Sequence, residues 1–196
     1  MIDQLPAELR QELVPRHAEP ARHYHNWTHV EALLAHAESI APRLNDPVAV
    51  LYAVVFHDAV YDPRAKDNER RSAALLVAAN PAIPAESLQL AKRMIEATEG
   101  HILPDDLAPA ERADCAHFLD MDLGILGADR HRFDIYEDQI RREYAHVSEP
   151  DFRKGRAAVL RHFSARDALY FSEWGKVRFE TKARSNLARS LAALAG

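Results

Sequence analysis

The dipeptide His57-Asp58 stands directly after Val48 to Phe56, the most apolar stretch of the sequence. A carboxylate beside such a segment is costly to bury unpaired, so a cation, a hydrogen-bonding network or a metal has to compensate it. Imidazole nitrogen and carboxylate oxygen together suit a first-row transition metal or a Mg²⁺-like ion. Two adjacent residues at a helix end reach one centre only where the helical geometry loosens. Alone, the pair is better explained as a core-edge histidine bonded to its neighbour. Its company changes that balance: Tyr24-His25-Asn26-Trp27-Thr28-His29 lies upstream and Asp120-Met121-Asp122-Leu123 downstream. Asp120 and Asp122 point about 200° apart if both are helical, so only one of them can face a given centre.

Other residues near these strings carry two readings each. Asp62 is four residues past Asp58, one turn on if the helix continues, and then both carboxylates face one cavity. Equally, an aspartate before Pro63 starts a turn. Glu69, at the start of a helix, suits catalysis or simply the helix dipole. Arg64, Lys66, Arg70 and Arg71 form a basic cluster able to bind phosphoryl oxygens, although such clusters are usually solvated faces. His25, four residues before His29, suits a second ligand, a phosphate contact or a plain surface position. Cys115 has no cationic neighbour in sequence and reads as a small core residue rather than a nucleophile.

The elements that must position these residues are helical. Val30, Leu33, Leu34, Ala37 and Ile40 recur at offsets of three and four, which predicts a helix from Trp27 to Ile40 capped by Asn26. Asp46-Pro47 is a start signal for a helix over Val48 to Phe56 that is buried all round. Further helices are expected over Asn68–Ala79, Ala85–Thr98, Ala110–Leu123, Asp129–His146, Asp151–Phe163 and Ser172–Leu194, with prolines marking the gaps. Ser148 and Asp151 resemble a capping box. Strand signals are nearly absent and no repeat or Gly/Ser-rich linker divides the chain. The expectation is an all-α multi-helix bundle in a single domain over residues 1–196, with a core of about 22–187.

A histidine at one helix start, His-Asp on the next helix and an aspartate on a later one is similar to the HD-domain superfamily of metal-dependent phosphohydrolases. The strings Tyr24-His25-Asn26-x-x-His29, Phe56-His57-Asp58-Ala59-Val60-Tyr61-Asp62, Asn68-Glu69-x-x-Ser72-Ala73, Phe118-Leu119-Asp120-Met121-Asp122-Leu123-Gly124-Ile125-Leu126-Gly127 and Ile140-Arg141-x-Glu143-Tyr144 resemble a small bacterial group of predicted HD phosphohydrolases, over about Arg22 to Leu187. The resemblance implies an HD-type helical fold. It makes His29, His57 and Asp58 metal ligands, joined by Asp122, the residue just ahead of a leucine-bearing turn, with Asp120 as the alternative. In related members an acidic residue placed like Asp62 takes part in catalysis. On their own chemistry Glu69 is assigned to catalysis beside it, and His25, Arg64, Lys66 and His101 to the substrate. In dinuclear members a histidine placed like His101 binds a second metal.

Composition narrows the classes. Twenty-five Lys plus Arg against thirty Asp plus Glu leave a formal charge of -5, without the positive field of a dedicated nucleic-acid binder. The longest apolar run, nine residues, is about half of the ~20 that span a bilayer, so no membrane segment is expected. One cysteine suits a reducing compartment, and the chain is read as cytoplasmic. There is no Gly-rich phosphate loop, Gly-x-Ser-x-Gly elbow, Cys-x-x-Cys or His-Glu-x-x-His string. The leading expectation is a phosphohydrolase that uses a metal-activated water on a small phosphate ester, with nucleotides among the candidates. Its divalent metal can be Mn, Mg, Co, Fe, Ni or Zn. The alternatives are a dinuclear iron oxygenase on the same scaffold, kept open by His25 and His101, and a non-catalytic ligand-sensing module.

Overall fold

A computed structural model describes residues 2–195; residues 1 and 196, the ends of the expected domain, lie outside the described residues. It is all-helical, with no strand among them. The α-helices are α1 (Ala7–Arg16), α2 (Trp27–Ser39), α3 (Pro47–Phe56), α4 (Asn68–Ala79), α5 (Ala85–Ala97), α6 (Pro109–Asp122), α7 (Arg130–Glu143), α8 (Glu149–Ser164) and α9 (Glu173–Ala195). A 3-10 turn over Leu123–Gly127 follows α6. None of these helices is long and apolar enough to cross a membrane.

Helix α3 is the axis. Every residue from Ala49 to Phe56 is buried, because α2, α4, α5 and α6 pack around it. Asp46 caps its start by accepting from the Ala49 amide at 2.9 Å, with Pro47 in the first turn where no amide is needed. Buried Asp114 of α6 secures the same end. Its carboxylate accepts from the backbone amides of Asn45 (2.9 Å) and Asp46 (2.6 Å), fixing α3 against α6. A second apolar cluster joins the 3-10 turn to α7, α8 and α9 through Leu126, Phe133, Leu160, Phe179 and Leu187. Trp174 packs against both clusters.

Three differences from the sequence expectations have physical causes. Helix α1 carries no apolar stripe, since Leu13 alone is buried and Pro15 sits in the last turn, so its sequence lacks a helical period. The helix expected to run to His146 stops at Glu143, where the Arg141 guanidinium takes the carbonyls of Tyr144 (2.7 Å) and Val147 (3.2 Å). Helix α3 does not continue through Asp58 towards Asp62. It ends at Phe56, and Arg22, itself buried, gathers the next carbonyls: Nη1 donates to Asp58 O at 2.5 Å and Nη2 to Ala59 O at 3.3 Å.

Candidate metal centre

Each arm of the centre is placed by a helix end. Asn26 caps α2 by accepting from the Thr28 amide at 3.0 Å, which sets His29 in the first turn, facing inward and buried. His57 stands just past α3, and its Nδ1–H donates to Val54 O at 2.9 Å. A carbonyl only accepts, so this bond fixes a proton on Nδ1 and points Nε2 into the site. Asp58 occupies the loosened turn held by Arg22, and Ser72 of α4 ties the other side, its Oγ accepting from the Val60 amide at 3.0 Å. Asp122 is the last residue of α6.

His29, His57 and Asp122 converge, and Asp58 approaches the two histidines. His29 Nε2 lies 3.2 Å from His57 Nε2, 3.1 Å from Asp122 Oδ1 and 3.8 Å from Asp58 Oδ2. His57 Nε2 lies 3.1 Å from Asp58 Oδ2 and 3.5 Å from Asp122 Oδ1. Ligand bonds of ~2.0–2.2 Å put neighbouring donors about 3.0 Å apart around an octahedral ion and about 3.4 Å apart around a tetrahedral one. The separations among His29, His57 and Asp122, 3.1–3.5 Å, lie at or just above those values, and Asp58 Oδ2 stands 3.1 Å and 3.8 Å from the two histidines. His29, His57 and Asp122 form a group able to hold a metal.

Without an ion the charges compensate one another. Burial opposes the charge on Asp122, yet His57, His101 and His29 hold its carboxyl well below the usual range. Asp58 is likewise held low, burial being outweighed by His57, His25 and His29. Burial works against a proton on His57, but Asp58 and Asp122 raise its affinity well above the ordinary value, whereas burial keeps His29 low.

The two aspartates of α6 take different roles. Asp120, fully buried on the opposite side, accepts from the amides of Phe171 (2.7 Å) and Ser172 (2.8 Å) and from Ser172 Oγ (2.6 Å), gripping the start of α9. A Cβ on Gly175 would stand 2.3 Å from Asp120 Oδ2, so glycine is required for that close approach. Burial pushes Asp120 up to about 6 despite the donors from Ser172 and Phe171.

The centre opens into a cavity of about 700 Å³. His25, His101, Lys66 and Glu69 line it, along with Tyr61 and Glu99. His101 has a left-handed backbone, φ 48°, and its Nε2 lies 2.8 Å from Asp122 Oδ2. Arg166 fixes this turn by donating to the carbonyls of His101 (2.9 Å) and Gly100 (2.8 Å). Asp62 and Arg64 do not line the cavity. The Asp62 carboxylate is exposed and accepts from the Arg64 amide at 2.9 Å, while Asn68 Nδ2 donates to its carbonyl at 2.9 Å. Because α3 stops at Phe56, Asp62 builds the turn at Pro63 instead of standing one helical turn past Asp58. Arg70 and Arg71 face Asp67 on the outside of α4. Cys115 is buried in the core, and burial pushes its thiol up to about 12.

Glu143 is the residue that the spacing of histidines and aspartates did not reveal. Its Oε1 accepts from three consecutive amides, His23 (2.8 Å), Tyr24 (2.7 Å) and His25 (2.9 Å), and its Oε2 from His25 Nδ1 (2.7 Å) and the Tyr61 hydroxyl (2.8 Å). His25 then stacks on Tyr61 with ring centroids 4.3 Å apart. Burial would raise the Glu143 carboxyl, but the His25 and Tyr24 donors lower it to about 2. The one sequence signal is the Ile140-Arg141-x-Glu143-Tyr144 string.

No family model matches the chain, and no curated protein or solved structure matches it either.

Proposed function

We propose that this chain is a metal-dependent phosphohydrolase of HD type acting on a small phosphate ester. The observation that carries the reading is the convergence of His29, His57 and Asp122 within 3.1–3.5 Å, with Asp58 Oδ2 3.1 Å and 3.8 Å from the two histidines, at the edge of the cavity. A divalent ion held by those residues supplies a Lewis acid that acidifies water and draws charge from a phosphoryl group.

The chain's own groups supply the rest. His57 commits Nδ1 to Val54 O, which leaves Nε2 as the atom that would face the ion. His25 commits Nδ1 to Glu143, leaving Nε2 for the cavity. Burial disfavours a proton on His25, but Asp58 and Glu143 more than offset it and raise its affinity, so the ring donates to a phosphoryl or leaving-group oxygen. Lys66 brings a further cation, and Glu69 a carboxylate able to orient water. Asp62 and Arg64, outside the cavity, have no part in this reading.

Among the described residues the His29, His57 and Asp122 group is the one cluster of its kind, which favours a single ion over the dinuclear oxygenase. His101 already spends its Nε2 on the outer oxygen of Asp122. The test is phosphate release from a panel of monoesters, diesters and nucleotides by protein stripped of metal and reloaded with Mn²⁺, Mg²⁺, Co²⁺ or Fe²⁺. Release with at least one ion, reduced at least ~10²-fold by His57→Ala, is the expected result. Two irons per chain with oxygen consumption and no phosphate release contradict it, as does ligand binding without turnover under any ion.

A further inference from the structure

We infer that the substrate carries a single phosphoryl group on an uncharged, apolar or aromatic leaving group that lies along helix α8, in the space left by Gly155. This deepens the phosphohydrolase reading and rests on it for the phosphoryl end.

The charge of the cavity argues for one phosphoryl group. Apart from the metal-centre aspartates, its ionisable lining includes Glu69, Glu99 and Asp151 against Lys66 and Arg156. Arg156 is already spent. Its guanidinium pairs with Glu137 and lies over the Tyr136 ring at 5.1 Å. Lys66 is therefore the one lining cation among the described residues without a carboxylate partner. Sites that hold polyphosphates surround them with several cationic groups and metal ions. One divalent ion with Lys66 and His25 matches a dianionic monoester, whereas a triphosphate would bring four negative charges to a lining with acidic excess.

The shape and chemistry of the opposite wall argue for the leaving group. Phe152, Gly155, Val159 and Phe163 recur at spacings of three and four, so one stripe of α8 faces the cavity, backed by Leu160. Val159 is 44 % exposed, an apolar side chain turned to an open space. Phe163 stands edge-on to His101, with ring centroids 5.8 Å apart, so the apolar stripe reaches the metal centre itself. Gly155 sits in the middle of α8, where glycine is among the poorest helix formers. A Cβ built on it meets nothing within 4 Å, so no packing contact within the fold demands its absence. The missing side chain widens the cavity beside the apolar stripe, at the position an organic group would fill.

The experiment compares inert phosphonates by calorimetry on Mn²⁺-loaded protein. 1-Naphthylphosphonate is expected to bind at least tenfold more tightly than methylphosphonate, and both more tightly than the adenosine triphosphate analogue with a β,γ-methylene bridge. Gly155→Leu, whose Cβ meets nothing within 4 Å, is expected to cut the naphthyl-to-methyl ratio below threefold. An equal ratio in the wild type, an unchanged ratio in Gly155→Leu, tighter binding of the triphosphate analogue, or no binding of the naphthyl compound overturns the inference. Because binding is read without turnover, naphthyl selectivity in a protein that releases no phosphate sinks the hydrolase reading alone. Rapid hydrolysis of nucleoside triphosphates in preference to aryl phosphates sinks this inference alone.

Discussion

Replacing Glu143 by glutamine isolates what a buried carboxylate contributes to the His23–Asn26 segment. The carboxylate accepts five hydrogen bonds, three from backbone amides and two from His25 and Tyr61. Glutamine keeps one acceptor oxygen but sets an NH₂ against the His25 ring and removes the charge. The carboxyl falls from an ordinary 4.5 to about 2 in the folded protein, and at 1.36 kcal/mol for each pKa step that shift is worth about 3 kcal/mol. Its folded value is depressed, so the stabilisation is fully present above pH 4.5 and is lost as the pH falls towards 2. Urea unfolding is expected to show wild type more stable than Glu143→Gln by about 3 kcal/mol at pH 7 and by about 1.5 kcal/mol at pH 3. A gap below about 1 kcal/mol at pH 7, or one of equal size at both pH values, refutes the reasoning.

The remaining predictions concern neighbouring groups. Asp122→Ala is expected to abolish stoichiometric metal in elemental analysis, while Asp120→Ala keeps the metal and loses about 2–4 kcal/mol of stability because the Phe171 and Ser172 donors are left unpaired. Asp62→Asn is expected to leave kcat within about threefold of wild type, against the ~10²–10⁴-fold loss of a group acting in the chemical step. His17 is buried with Nδ1 on Leu13 O and Nε2 unpaired, and burial lowers it to about 4. Its stabilisation is present above about pH 6.5 and lost as the pH falls towards 4, so His17→Phe is expected to flatten the unfolding free energy between pH 7 and 4.

Helix starts were legible because capping is local. Asn26, Asp46-Pro47 and Ser148 each act on amides two or three residues away, and those bonds form. The buried character of α3 was legible because it needs no partner to be identified, only a run without polar side chains. Helix α1 was not, since a helix that buries little but Leu13 leaves no stripe to read. Of the candidate site, the types and order of His29, His57, Asp58 and Asp122 stand in the sequence; that their atoms meet is a property of how α2, α3 and α6 pack. The role of Asp62 turned on whether α3 continued, and that was decided by Arg22, whose partners are carbonyls 36 and 37 residues away. Glu143 escaped for the same reason: three of its five partners are backbone amides more than a hundred residues distant, which carry no side-chain signature.

The most direct test of the central claim is anomalous scattering from a crystal of the protein equilibrated with Mn²⁺. A single strong peak is expected within about 2.0–2.4 Å of His29 Nε2, His57 Nε2 and one oxygen each of Asp58 and Asp122. No peak among those four side chains, or a peak bound instead by Asp120 or Asp62, contradicts the account.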